Sequence, residues 1–557
     1  MRTGGRILVD NLLMQGVDLA FCVPGESYLP VLDALYDARD RLRLIVCRHE
    51  GGASYMGEAY GKLTGRPGIV FVTRGPGASN AAIGIHTAVQ DSTPLIVFVG
   101  QVGGDFADRE AFQEIDYRRM YGGIVKWAAQ IDRVERVPEY VARAFRVAQS
   151  GRPGPVVLAL PEDMLAASAE VADVAPSVVP AVAPAAASLL QLRAMLAAAR
   201  RPLVIAGGSG WNSAACADLV RFAESNALPV ACAFRSQDVF DNRHPNYAGD
   251  VGIGINPQLA ARVRDADVLL VIGERLGEMV TGGYTLLDAP QPKQSLIHVH
   301  PGADELGRVY QPALAIEASI AQACAALAAL PPVASPAWSG SAAAAHPDYL
   351  AWQEPRPMPG AVDLWRVVAL LRDRLPEDTI LASGAGNYTS WLHRLYRYPR
   401  YRTQVAPSSG SMGYGVPAAI AAKAVHPDRT VVSWNGDGCF LMNGQELATA
   451  VQYGLAIVFV VVDNAMYGTI RMHQERHFPG RVYGTDLVNP DFAALARAYG
   501  ALGETVNRTE EFAPALERAL ASGRPALLHL RIDPQAITMN ATIADLRAQA
   551  GRASDPR

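Results

Sequence analysis

Short, wholly apolar runs separated by stretches of helical period dominate the chain. Leu44–Val46, Ile69–Val72 and Leu95–Val99 are too short for helices and too uniformly apolar for half-exposed strands. They predict buried parallel strands joined by crossover helices. Residues 1–165 therefore read as one doubly wound domain, entered by an amphipathic helix that begins within the first residues. Ala166 to Ala187, with Pro176, Pro180 and Pro184, has linker composition. Strand-like runs resume at Pro202–Ala206, Val268–Ile272 and Leu296–Val299, giving a second unit over residues 188–330. A loose Pro/Ser/Gly/Ala stretch runs from Pro331 to about Asp348. A third set, at Thr379–Leu381, Thr430–Trp434 and Ile457–Val462, marks a unit over residues 355–535. Residues 536–557 form a polar, Arg/Ala-rich tail, loosely packed or helical. The predicted fold class is α/β, with three doubly wound parallel-sheet domains.

Length and charge narrow the field. A chain of 557 residues is too long for one core and suits three domains of ordinary size. Lys and Arg total 50 against 54 Asp and Glu, a net charge of -4, so no basic field is available for nucleic acid or an anionic membrane. Small molecules are the expected partners. Cys22, Cys47, Cys216, Cys232, Cys324 and Cys439 are scattered, without a CxxC pair or zinc-type spacing, which fits isolated thiols in a reducing compartment. With no apolar signal core and no uninterrupted run of about 18 apolar residues, the expected location is the cytoplasm.

The most specific chemical signal is Trp434-Asn435-Gly436-Asp437-Gly438-Cys439-Phe440, followed after the 25 residues from Cys439 through Asp463 by Asn464. Each half ends a predicted strand. A carboxylate at one strand end and an amide oxygen at the next are hard oxygen ligands at the carboxyl edge of a parallel sheet, suited to Mg²⁺. Gly436 and Gly438 let the backbone approach phosphate oxygens, and the helix predicted near Cys439 aims its free N–H groups at that charge.

This spacing matches the thiamine-diphosphate signature, and the chain resembles the acetolactate (acetohydroxyacid) synthase large-subunit family. The likeness extends over nearly the whole chain, in the order pyrimidine-binding, central and diphosphate-binding domain. It implies Mg²⁺ held by Asp437, Asn464 and the Met466 carbonyl. The diphosphate would lie against Ala385, Gly386, Asn387, Gly436, Gly438, Cys439, Tyr467, Gly468 and Thr469. The segment Cys47-Arg48-His49-Glu50-Gly51-Gly52 resembles the family's Arg-His-Glu segment, which makes Glu50 the catalytic acid at N1′ of the aminopyrimidine. An apolar surround would keep that proton shared with the ring. Met412, in the glycine-rich run Pro407 to Pro417, would wedge the cofactor into its V shape, with the Gly410 carbonyl on the 4′-amino group. Pro24, Thr73 and Asn80 would face the pyrimidine. Gly25, Glu26, Phe112, Gln113 and His473 would line the substrate pocket, Gln113 also serving catalysis.

The implied reaction is decarboxylation of a 2-keto acid through a C2 ylide and an enamine, then transfer to a second carbonyl. Pyruvate-decarboxylase-type relatives use adjacent histidines, and none of the eleven here are adjacent, which favours carboligation. Two other readings stay open: a lyase cleaving a 2-hydroxy ketone or 2-hydroxyacyl thioester, and a noncatalytic cofactor- or nucleotide-binding regulator. Where the family grips FAD through Arg-Phe-Asp-Asp-Arg, this chain has Glu274-Arg275-Leu276-Gly277-Glu278-Met279-Val280-Thr281-Gly282, so flavin is not favoured. His473 falls where the family has its specificity tryptophan, and Glu26 where it has a small residue. The family's shared sites imply at least a homodimer, commonly a tetramer. Gly207–Gly210, His298–His300 and Arg471–His477 read as a turn, an alternating strand and a solvated helix.

Overall fold

Apolar runs buried on both faces can pair only inside a sheet covered by helices on either side. The computed structural model, which describes residues 1–553, contains three such six-stranded parallel sheets. In the first, the strand order is Arg43–Val46, Leu19–Cys22, Gly68–Val72, Leu95–Gln101, Pro155–Pro161, Trp127–Gln130. The third sheet repeats this connectivity with Gln404–Val405, Ile380–Ser383, Val431–Gly436, Val458–Asp463, Ala526–Arg531 and Leu502–Val506. In chain order both run 2-1-3-4-6-5. The second sheet runs 3-2-1-4-5-6, from Tyr247–Val251 through Val230–Ala233, Pro202–Ala206, Val268–Ile272 and Ser295–His300 to Leu314–Glu317.

Strand order dictates where chemistry can sit. Ligands of open α/β sheets bind beyond the carboxyl ends of the strands, where the order reverses. In the third sheet that point lies between Ile380–Ser383 and Val431–Gly436, so the loop beginning at Gly384 and the turn at Asp437 leave the sheet side by side. In the first it lies between Leu19–Cys22 and Gly68–Val72, bringing together the loops that begin at Val23 and Thr73.

The described residues fall into two compact units. One holds Met1–Pro180 with Ile420–Val425 and Asn443–Tyr453; the other holds Ala181–Ala419, His426–Met442 and the described residues from Gly454 onward. The second and third sheets thus share a unit. Asp238, beside the second sheet, accepts the N–H groups of Thr403 and Gln404 at 3.0 and 3.2 Å, and Gln237 donates to the His393 carbonyl at 2.7 Å.

Helix Gly4–Met14 starts where the sequence placed it, capped by the Thr3 hydroxyl on the Arg6 N–H. Two predicted irregular stretches carry structure. Ser168–Ala169 of the first linker pairs antiparallel with Arg2–Thr3, closing the first domain on its own N-terminus. Helices Ser339–Ala343 and Ala345–Trp352 start within the stretch from Pro331 to Asp348, where the Ala-rich run is anchored by the buried indole of Trp338, which donates to the Asn226 carbonyl at 3.0 Å.

The tail contains helix Ile543–Ala553, fixed through one ion-pair cluster. Arg547 donates to both oxygens of Glu475 at 2.6 and 2.7 Å, and Arg471 adds a third bond at 2.8 Å. Helix Gly468–His477 is exposed along His473, Arg476 and His477, as its charges predicted, but Glu475 is fully buried under this clamp. The Arg547 bonds, with Gly480 N–H and Arg471 in support, outweigh burial and hold Glu475 down at about 2. A depressed carboxylate contributes stability above its ordinary value of 4.5 and loses it as pH falls through about 2. Arg547→Ala is expected to cost about 1–2 kcal/mol at neutral pH, allowing for the partly exposed arginine. In a series of thermal melts, the gap from the parent protein should shrink below pH 4.5 and close near pH 2.

Candidate active site

In the N-terminal unit, the residues expected near a pyrimidine collect at one sheet edge. Glu50 opens helix Glu50–Thr64, is only 9% exposed, and accepts the Asn80 amide at 2.9 Å. Two glycines make this first turn fit. A Cβ on Gly51 would lie 2.9 Å from the His49 ring, and one on Gly52 would lie 2.4 Å from the Glu446 carboxylate. Thr73 ties in the loop after Leu19–Cys22: its hydroxyl lies 3.0 Å from that of Ser27, and a Cβ on Gly25 would lie 2.5 Å from its own. Pro24 and Glu26 are exposed on this loop. A Cβ on Gly77 would sit 3.2 Å from Glu50 Oε1, so small residues also floor the site. Gln113 adopts a left-handed conformation, φ 65°, and its carbonyl accepts the Gly75 N–H at 3.0 Å. Phe112, 71% exposed, is held through its carbonyl by Arg74 at 3.3 Å.

In the second unit, the switch point gathers the residues expected around a diphosphate. The Asn387 N–H donates to the Thr469 hydroxyl at 3.0 Å, and that hydroxyl returns a bond to Asn387 Oδ1 at 3.0 Å. Ala385, Gly386 and Asn387 are thereby tied to Gly468 and Thr469, with Thr469 82 positions beyond Asn387. Glycines are again required: a Cβ on Gly436 would lie 2.6 Å from the Tyr388 ring, and one on Gly438 2.6 Å from Tyr467. The Gly413 N–H donates to Cys439 Sγ at 3.1 Å, bringing the loop of Gly410 and the half-buried Met412 onto the Asp437 helix.

Asp437 begins helix Asp437–Asn443 directly after its strand, and Asn464 directly follows Val458–Asp463. Ala465 is left-handed, φ 56°, and its carbonyl accepts the Leu487 N–H at 2.9 Å. The Tyr467 carbonyl is engaged by the Arg471 N–H at 3.0 Å, so the Met466 carbonyl lies between two occupied ones. A carboxylate, an amide oxygen and a carbonyl form the donor set of a hard divalent cation.

Three neighbours of Asp437 escaped the sequence reading. Asn489 donates to Asp437 Oδ2 and to Asp463 Oδ1, both at 2.8 Å, while the buried His529 ring pairs with Asp463 Oδ2 at 2.8 Å. Burial pushes Asp437 up to about 6, and the nearby Asp463 carboxylate adds to the effect. Burial acts in the same sense on Asp463, but His529 and the Ala465 N–H outweigh it and hold that carboxyl below its usual range. Asp463 adjoins Asn464 in sequence, which was the available signal; Asn489 and His529 had none. His473 stands exposed, its ring stacked on His477 at 6.2 Å; burial, Arg476 and His477 all push its titration down.

Comparison with known proteins shows the family. Residues 2–120 match the family model of the thiamine pyrophosphate enzyme N-terminal TPP binding domain, 189–327 its central domain, and 384–530 its C-terminal TPP binding domain. The fold and the sheet-edge constellations therefore define a thiamine-diphosphate-dependent enzyme. The chain is 32% identical over 536 residues to acetolactate synthase isozyme 2 large subunit of Escherichia coli K12, covering 95% of each chain. It is 31% identical to the acetolactate synthase large subunit of Corynebacterium glutamicum, over 93% of this chain and 84% of that one. A probable acetolactate synthase large subunit of Methanocaldococcus jannaschii is likewise 31% identical, over 95% and 92%. The chain belongs to the acetolactate synthase large-subunit family of thiamine-diphosphate enzymes. No helix among the described residues is long and apolar enough to cross a membrane.

Proposed function

We propose that this enzyme decarboxylates a 2-keto acid with thiamine diphosphate and Mg²⁺ and joins the remaining acyl unit to a second carbonyl, giving a 2-hydroxy ketone and CO₂. The observation that carries this reading is the third sheet's switch point, where Asn387 and Thr469 bond to each other and Asp437 starts the adjacent helix. When bound, thiamine diphosphate supplies a carbon nucleophile and an electron sink for the carbon–carbon bond that breaks. Asp437, Asn464 and the Met466 carbonyl would hold Mg²⁺, while Gly386, Asn387, Gly436, Gly438, Gly468 and Thr469 admit the diphosphate. Glu50 would hold a proton at the pyrimidine N1′, with Asn80 fixing its second oxygen. Gly410 and Met412 would orient the rings. Gly25, Glu26, Phe112, Gln113 and His473 remain the candidates for the substrate pocket.

The same reading assigns residues 1–165 to the pyrimidine, 188–330 to the central domain and 355–535 to the diphosphate. It makes the working form at least a homodimer with shared sites, in the cytoplasm. Flavin is not a required part of it. Arg275 is the only cation in Glu274–Gly282, and it is drawn to Glu305 at 3.5 Å, which Arg308 also holds at 3.0 Å. That segment lacks a spare positive group for a flavin diphosphate.

Purified protein with pyruvate, Mg²⁺ and thiamine diphosphate, with and without FAD, should release CO₂ and form acetolactate. Neither product should depend on FAD, and both should be lost in Glu50→Gln. An FAD requirement would overturn the flavin assignment. Absence of both products across a panel of 2-keto acids, with cleavage of 2-hydroxy ketones instead, would replace the synthase reading by the lyase.

A further inference from the structure

The turn that presents Glu50 is gripped from a segment about four hundred positions further along the sequence. Asn443–Tyr453 belongs to the same compact unit as the first sheet. Within it Glu446 is fully buried, and its carboxylate accepts the Arg48 N–H at 3.0 and 3.2 Å and the His49 N–H at 2.9 Å. The Thr449 hydroxyl donates to its other oxygen at 2.6 Å. Two further bonds extend the grip: the Val46 N–H donates to the Tyr453 hydroxyl at 2.8 Å, and Arg48 Nη2 to Gln452 at 2.5 Å. A buried carboxylate is tolerated only where donors surround it, and here two of those donors are the backbone amides just before Glu50. The negative charge also faces the N-terminus of helix Glu50–Thr64, where a helix favours anions.

We infer that Glu446 is a positioning residue for Glu50: by gripping the Arg48 and His49 amides it sets the turn from which Glu50 reaches its reacting partner. Local sequence is built around this approach, since Gly52 has no room for a side chain beside the Glu446 carboxylate. Within the N-terminal segment itself, the turn between strand Arg43–Val46 and the helix is held by the Cys47 N–H on the Cys22 carbonyl at 2.7 Å and by the His49 ring, which caps the Gly51 N–H at 3.0 Å. Glu446 touches no reacting atom in this role. Its effect passes through geometry, to which proton transfer at a fixed site is sensitive. The inference rests on Glu50 being the acid at N1′.

Glu446→Leu removes the acceptor, whereas Glu446→Gln keeps an oxygen for the two amides and can turn its NH₂ toward Thr449. In Glu446→Leu, hydrogen exchange in the apoprotein should quicken in the peptide covering residues 44–52. The kcat should fall on the order of 10²-fold, with KM within about threefold. Glu446→Gln should recover protection and most of the rate. Unchanged exchange and kcat in Glu446→Leu would overturn the inference, as would a loss of rate that follows thermal stability and that Glu446→Gln does not recover. If the leucine variant does not fold, Thr449→Val serves: a reduced kcat at constant KM supports the role, and an unchanged kcat overturns it. Glu50→Gln is measured in parallel. Full activity there would sink the Glu50 assignment itself, whatever Glu446 does.

Discussion

Asp437→Ala is expected to eliminate cofactor-dependent activity, lowering kcat/KM by at least about 10³-fold, because it removes the only charged member of the proposed donor set. Asn464 and the Met466 carbonyl would be left to neutralise a dication without a carboxylate. The diphosphate, which relies on that cation for charge balance, should then bind at least about 100-fold more weakly. Tryptophan-fluorescence titration of apoprotein with thiamine diphosphate at fixed Mg²⁺ measures this directly. Thermal melts give a second reading: a ligand at about 100 times its Kd adds roughly 2.7 kcal/mol, and the variant should show almost none of that increment. The fold should survive, since the strand leading to Asp437 is buried by apolar contacts that do not involve the carboxylate. Saturable Mg²⁺-dependent binding with parental affinity would remove Asp437 from the metal site.

Glu50→Gln tests the other half of the constellation, and its signature differs. The amide keeps the size of the side chain and a partner for Asn80, but it cannot exchange a proton with a ring nitrogen. The expected result is a kcat lowered about 10²- to 10⁴-fold, the usual range for losing a general acid or base. Cofactor affinity should change less than about tenfold, because the proposed metal and phosphate contacts all lie elsewhere. Weakened binding with an intact turnover number would assign Glu50 to binding alone. Taken together, the two variants separate holding the cofactor from activating it.

Expectations from the apolar pattern were most reliable at the centres of the sheets. Pro202–Ala206 and Val268–Ile272 form with the bounds read from sequence, and Leu95–Gln101 is buried at every position. Edge strands were less visible. Trp127–Gln130 is half-buried throughout, and Leu502–Val506 includes a glycine and a glutamate, so neither offers a continuous apolar run. Helix Ser339–Ala343 was hidden by its small residues and depends on the neighbouring Trp338.

For the candidate site, Asp437, Asn464 and Glu50 could be proposed from sequence because ligand chemistry at a strand end leaves a short, ordered pattern of residue types. Their supports could not. The grip of Glu446 on Arg48 spans 398 positions, and Asn489 joins Asp437 to Asp463 across 52 and 26. The sequence by itself determined the α/β class and the buried strands, and it supplied the candidates for chemistry. Only the tertiary structure decided which side chains hold them, because a hydrophobic period is a local property of the chain, whereas a buried carboxylate finds its donors wherever folding has left amides without partners.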